Sequence, residues 1–331
     1  MSISINGTNG LTFNDASTQN TAASGFGFKN RIINGAMVID QRNAGASVTA
    51  NDQTYPVDRF SFVMSQSSKG TGQRSTTAPA GFVNSLLFTS SSAYTVGSGE
   101  TFNITQKIEG FNVADLGWGT ASAATVTVSF WVRSSLTGTF GGSFRNGNAN
   151  RSYPFSYTIS ATNTWEQKTI TVAGDTSGTW ATDNSIGVQI YFGLGVGSTL
   201  SGTAGSWAGA NYTSATGAVS VVGTSGATFY ITGVQLEKGS TATSFAYRPY
   251  GTELALCQRY YYQTGATSPY VLQANVYASF LFKASMRAVP TVTLNSISGG
   301  TTTSSNITMD GFFGINTSVS SATTVVSSAE L

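Results

Sequence analysis

The sequence predicts an all-β protein, a jelly-roll-like β-sandwich with a small C-terminal β domain and an extended N-terminal arm, and three observations carry that expectation. Charged residues make up only 9% of the 331, against roughly 25% in an ordinary soluble domain. Glycine is abundant at 38 residues, Ser, Thr, Asn and Ala fill most of the remainder, and aromatics at 12% are enough to build a core. Apolar residues recur with a period of two between turn-forming stretches, the pattern of half-buried strands.

Residues 1–29 are polar and glycine-containing, and Ile3, Ile5, Leu11 and Phe13 are too few to bury this stretch alone. It reads as an arm that gains structure against partners. Residues 30–250 read as the sandwich. Its clearest strand is TVTVSFWVRSS at Thr125–Ser135, where Val126, Val128, Phe130 and Val132 share one face and Trp131 and Arg133 the other. Ile186, Val188, Ile190 and Phe192 repeat the alternation against Gln189 and Tyr191, as do Ile170 and Val172 against Thr169 and Thr171. Arg59–Ser65, Ser85–Ser91, Phe102–Glu109, Ser152–Ser160 and Thr228–Glu237 are further candidates, about eight or nine antiparallel strands in all. In the last of these the apolar phase slips by one residue at Gly233, as at a β-bulge. Glu253–Tyr262 is the only window with weak helical periodicity. Residues 251–331 read as a second β unit, with strands at Tyr270–Val276, Ser279–Lys283 and Pro290–Leu294 and a Ser/Thr-rich stretch from Ser296 to Ser328. So polar a unit has a thin core, and several copies completing one another's core is the favoured expectation.

The formal charge is +2, with the basic residues from Lys29 to Arg287 scattered singly, so no phosphate-binding footprint and no nucleic-acid partner is expected. A near-neutral surface gives up charge repulsion against association. Cys257 is the only cysteine, which excludes an intrachain disulfide and fits synthesis in a reducing cytoplasm. MSISINGTNG lacks the basic start and apolar run of a signal peptide. No window approaches the ~18 consecutive apolar residues of a spanning helix, so no membrane insertion is expected.

Histidine is absent, which removes Ser-His-Asp, Cys-His and His-ligated metal chemistry. No catalytic residues are expected: Cys257 has no base beside it and reads as a small buried hydrophobe, and the 14 acidic residues show no pairing for glycosidic cleavage. Asp40 and Asp58 are weak calcium candidates, and Arg42 and Arg59 nearby favour instead an Asp–Arg pair that fixes loop geometry. Aromatic residues are the recognition candidates, because sugar rings stack their C–H faces on exposed rings. Trp180 and Trp207 lie in Gly/Ser/Thr-rich loops, Tyr212 follows in the second loop, and Trp131 and Tyr191 sit on the polar faces of their strands. Each of these also admits packing within or between subunits, and for a loop tryptophan packing is the favoured reading.

Several segments carry a resemblance. NRIINGAMVIDQRNAG at Asn30–Gly45 and YPVDRF at Tyr55–Phe60 resemble the opening of a β-sandwich module common in the tail-fibre proteins of tailed bacteriophages. ITGVQLEKGSTATSFAYRPYGTELALCQRYYYQ, Ile231–Gln263, resembles the closing strand and exit of that module, and its LExGxxATxF pattern also resembles the last strand of carbohydrate-binding-module-like jelly rolls. FKASMRAVPTVTL (Phe282–Leu294) and the terminal Ala329-Glu330-Leu331 are similar to the C-terminal domain of many fibre proteins, and Ile5–Ala23 resembles their short repeated linkers. The long anchoring domain of a full fibre is missing, so a short fibre, a distal piece or a capsid-mounted fibre is implied. The aromatic residue and Asp often seen near the terminal Ala-Glu-Leu are replaced by Ser-rich sequence. The resemblance implies a homotrimeric virion protein, attached to other virion proteins by the arm at residues 1–29, that binds a bacterial surface glycan or receptor. An architectural head-fibre or decoration protein is the alternative, and a glycan depolymerase a distant third.

Overall fold

The computed structural model describes residues 29–264 throughout, with residues 4–6, 10–12, 18–19, 270–272, 277–296, 302–316 and 321–331. In chain order the strands are β1 (Ser4–Asn6), β2 (Gly10–Thr12), β3 (Thr18–Gln19), β4 (Val48–Thr49), β5 (Ser61–Met64), β6 (Gly70–Ser75), β7 (Ser85–Ser90), β8 (Thr101–Glu109), β9 (Val126–Ser134), β10 (Gly138–Arg145), β11 (Ser152–Ile159) and β12 (Glu166–Val172). There follow β13 (Ile186–Val196), β14 (Ser201–Gly202), β15 (Ser214–Ala215), β16 (Thr228–Lys238), helix α1 (Tyr250–Gln258), β17 (Tyr261–Gln263), β18 (Tyr270–Leu272), β19 (Tyr277–Leu281), β20 (Thr291–Ser296), β21 (Thr302–Ser305), β22 (Gly311–Asn316) and β23 (Ser321–Ser328).

Two antiparallel sheets form the sandwich, one ordered β11-β10-β13-β8-β5 and the other β12-β9-β16-β7-β6-β4. The inward sets read from the alternation, among them Val126, Val128, Phe130 and Val132 of β9 and Ile190 and Phe192 of β13, are buried in one apolar cluster between the sheets. The phase slip at Gly233 is real: the β16–β9 register shifts between Thr232 and Gln235, and Gly233 has φ +61°, a conformation that glycine adopts without steric cost.

The sandwich has eleven strands in these sheets, more than expected, because the two-residue β4 and the strands β6 and β10 escape an apolar-alternation reading. β6 reads GTGQRS. A Cβ on Gly72 would lie 2.4 Å from the Phe62 ring, and one on Gly70 would lie 2.3 Å from the Phe88 ring. Glycine here lets neighbouring aromatic rings fill the volume that the strand's own side chains would otherwise supply. In β10 the same device lets the Phe155 ring lie against Gly142.

The described part of the arm pairs with itself, as a small antiparallel sheet ordered β1-β2-β3; the remainder of residues 1–28 lies outside the described residues. α1 begins at Tyr250 directly after Pro249 and ends at Gln258, earlier at both ends than the window expected, since Tyr261–Gln263 is recruited as a strand against β23. The C-terminal unit has β17, β18 and β20 paired with β23, and a second sheet ordered β19-β22-β21. β23, SATTVVSS, lies in the Ser/Thr-rich stretch that alternation leaves blank, and its β-branched residues suit a strand. Tyr262, Phe280, Phe282, Met286, Phe312, Val325 and Ala329 make a small core, as thin as the composition implies.

Candidate functional site

Four of the segments that carry the fibre resemblance, at 30–45, 55–60, 231–263 and 329–331, meet at one place, beside β8 and α1. Asn34, with φ 60°, accepts the Ile39 N–H at 2.9 Å and donates to the carbonyls of Ile39 and Asp58, both at 2.8 Å. Gly35 abuts β16 so closely that a Cβ would lie 2.1 Å from the Val234 oxygen. Asp40 closes the DQRNAG loop by accepting N–H groups from Asn43 at 3.0 Å and Gly45 at 2.6 Å. Arg42 then bridges Asp58 at 3.2 Å and Glu330 at 2.9 Å, and its guanidinium lies 3.5 Å over the Tyr261 ring. Arg59 also pairs with Glu330, donates to the Lys107 carbonyl at 2.7 Å and lies 3.5 Å over the Tyr260 ring. Arg259 and the Tyr260 hydroxyl hold Glu109 at 2.8 and 2.9 Å.

Burial governs the chemistry of this junction. It pushes the Asp58 carboxyl up against the opposing pull of Arg42, and raises the Tyr260 phenol to about 12. Burial works most strongly against the Arg59 charge, but Glu330 together with Tyr260, Tyr55 and Cys257 outweighs it and raises the guanidinium above its ordinary range. Cys257 is fully buried beside Ile33, Ile39 and Tyr260, its thiol raised well above the ordinary value by desolvation, as its reading as a small hydrophobe requires. At the calcium candidates, Asp58 meets Arg42 and Asp40 meets main-chain N–H groups. Among the described residues no three His, Cys, Asp or Glu side chains come together as metal ligands.

The aromatic candidates take different places. Trp180 is 8% exposed and forms with Trp118 and Trp207 a mutually edge-on cluster, with centroids 4.8, 5.2 and 5.4 Å apart. All three indoles have partners: Trp118 donates to the Ala124 carbonyl, Trp207 to that of Ala173, and Trp180 to Ser177 and Asp175. Asp175 is gripped in turn by Arg151 at 2.6 Å. Tyr212 is half-buried, its ring laid across Gly202, where a Cβ would meet it at 2.3 Å. Tyr191 is 1% exposed, its hydroxyl donating to Gln189 at 2.5 Å under Arg145, which also reaches Asn211 at 2.6 Å. Burial raises this phenol to about 12. Trp131 is half-buried beside Gly233, where a Cβ would meet both its ring at 3.0 Å and that of Phe82 at 2.7 Å. Arg145 of β10 thus lies over the Tyr191 ring, while Trp131 sits beside Phe82 and Gly233 with part of its ring still accessible.

Tyr247 and Tyr250, which no alternation pattern marks, are instead 59% and 63% exposed. They flank a cavity of about 140 Å³ with Phe245 and the Arg248–Glu253 ion pair on its walls. A wider cleft of about 390 Å³ opens beside the junction, lined by Asn148, Thr179, Ile186, Arg287, Glu330 and Leu331 among others. No helix among the described residues is long and apolar enough to cross a membrane.

No protein-family model and no curated protein sequence matches the chain. Solved structures do. The enzymatically active domain of bacteriophage CBA120 tailspike protein 4 is similar at TM-score 0.34 and 12% identity over 63% of this chain, and the match spans only 21% of that domain. The family 11 carbohydrate-binding module from Clostridium thermocellum, in complex with a mixed-linked tetrasaccharide, is similar at TM-score 0.31 and 12% identity, over 60% of this chain and 100% of the module. A CBM4 structure is similar at TM-score 0.31 and 16% identity, over 62% and 98%. Likeness at this level carries no argument about function.

Proposed function

We propose that the protein is a virion component of a tailed bacteriophage, a homotrimeric tail fibre or receptor-binding protein that attaches to a bacterial surface glycan or receptor and performs no catalysis. The observation that carries this reading is the junction. The segments at 30–45, 55–60, 231–263 and 329–331, each resembling fibre proteins separately, here build one buried network from Asn34 through Arg42, Asp58 and Arg59 to Glu330. In this chain those segments form one three-dimensional unit that seats the C-terminal β unit on the sandwich. Every buried carboxylate among the described residues is engaged, Asp58, Glu109, Asp175, Glu237 and Glu253 by cations and Asp40 by main-chain N–H groups. The arm at residues 1–29 is the proposed attachment to other virion proteins. Immunogold labelling of particles with antibody to the sandwich tests the assignment: label on the tail tip is expected, whereas label spread over the head would make this an architectural decoration protein.

A further inference from the structure

We propose that the cavity between Tyr247 and Tyr250 is a saccharide subsite that takes a single neutral pyranose residue, an inference that rests on the glycan-attachment reading and gives it a location. The segment Phe245–Tyr250 follows β16 and enters α1 through Pro249, and the phenol rings of Tyr247 and Tyr250 both line one opening. Phe245 stacks edge-on against Tyr247, with centroids 4.8 Å apart, and Phe82 packs on both, 5.1 Å from Phe245 and 5.6 Å from Tyr247. The Tyr247 hydroxyl donates to the Gly81 carbonyl. Tyr247 is thus locked at its back and edge while 59% of it stays exposed. A ring fixed in this way loses little side-chain entropy when a ligand stacks on it.

The polar complement lies in the wall. Glu253, 8% exposed, is held by Arg248 at 3.1 Å through both carboxylate oxygens, and its Oε1 also accepts the Asn34 N–H at 2.6 Å. Among the described residues Oε2 accepts only from Arg248, so it keeps a lone pair for a sugar hydroxyl. Because its charge is already balanced by Arg248, the site favours a neutral ligand. The remaining lining, Ala36 and Val38, is apolar and suits the C–H face of a pyranose. A volume of about 140 Å³ lies well below the ~300–1,000 Å³ of drug-sized pockets, which limits the occupant to one residue of a longer glycan. Weak binding per site is then raised by having several copies on one particle.

Saturation-transfer NMR on the full chain with D-glucose, D-galactose, L-rhamnose and N-acetyl-D-glucosamine as separate probes tests the site. At least one probe should bind wild type, and Tyr247→Ala and Tyr250→Ala should each weaken it by up to about tenfold, the size of one stacked ring. Tyr250→Phe, which keeps the ring, should bind like wild type, as should Phe111→Ala, which removes an aromatic 62% exposed elsewhere on the sandwich. Binding by none of the probes would overturn the subsite, as would equal binding by both alanine variants. So would loss of oligomer mass in those variants, which would make the opening a subunit contact. Adsorption of the purified chain to host cells separates the two claims: if it persists while the subsite fails, the attachment reading stands, and if wild type neither adsorbs nor binds sugar, that reading fails as well.

Discussion

The sandwich and the C-terminal unit solve the burial problem in opposite ways. The sandwich encloses a continuous core from Ile32 to Leu236 in which phenylalanines at 60, 62, 88, 102, 130, 140, 144, 155, 192 and 229 are essentially inaccessible. Among the described residues the C-terminal unit has seven in its core and leaves Leu281, Val289, Met309 and Phe313 between 41% and 74% exposed. Leu281 and Phe313 lie on adjacent paired strands, both facing away from Phe280 and Phe312. The sandwich exposes four such residues too, Val83, Phe111, Tyr247 and Tyr250, but against a far larger core. The C-terminal unit has apolar surface to bury, and its present support is the ionic junction to the sandwich.

The largest expected effect follows from breaking that junction. Glu330→Ala removes the carboxylate that two arginines share and leaves Arg59, whose side chain is 2% exposed, charged and unpaired, which costs about 3–5 kcal/mol. The cost should fall on the docking of the C-terminal unit, since the sandwich core lies elsewhere. Differential scanning calorimetry should show a lowered transition for the unit, with the sandwich transition near its original temperature. A single transition shifted as a whole would mean that the two regions fold as one and that the contrast drawn here is wrong.

A smaller effect is expected at the exposed apolar residues. If copies complete one another's C-terminal core, light scattering of the purified chain should give about three times 34.4 kDa, the trimer that the fibre resemblance implies. Leu281→Ser with Phe313→Ser should lower the mass toward one subunit while leaving the sandwich melting unchanged. A stable wild-type monomer would sharpen the comparison in another direction, making the thin core sufficient by itself.

The contrast also explains what could be read from the amino acids. Strands such as β9 and β13 were legible because alternation in Val, Ile and Phe marks a buried face, and even the bulge at Gly233 showed as a slip of phase. β6 and β10 were not, because their glycines serve the rings of Phe62, Phe88 and Phe155 and carry no apolar side chain of their own. β23 was hidden by serine and threonine. Among site candidates, packing was the favoured reading for the loop residues Trp180 and Trp207, and both indoles pack on Trp118. Tyr247 and Tyr250 went unmarked since they lie in neither a strand nor a glycine-rich loop; the Tyr-Arg-Pro-Tyr run, with proline forcing the chain outward before a helix, is the signal that could have found them. The junction could be suspected only from the recognisable segments, because ion pairs such as Arg42–Glu330 join residues 288 positions apart.

The proposed attachment function is tested most directly by competition for the host surface. Pre-incubating host cells with the purified chain should block adsorption of the parent phage in a dose-dependent way, and periodate treatment of the cells, which cleaves vicinal diols of surface glycans, should abolish binding of the chain. Unimpaired phage adsorption at saturating protein, with no protein retained on untreated cells, would contradict the account.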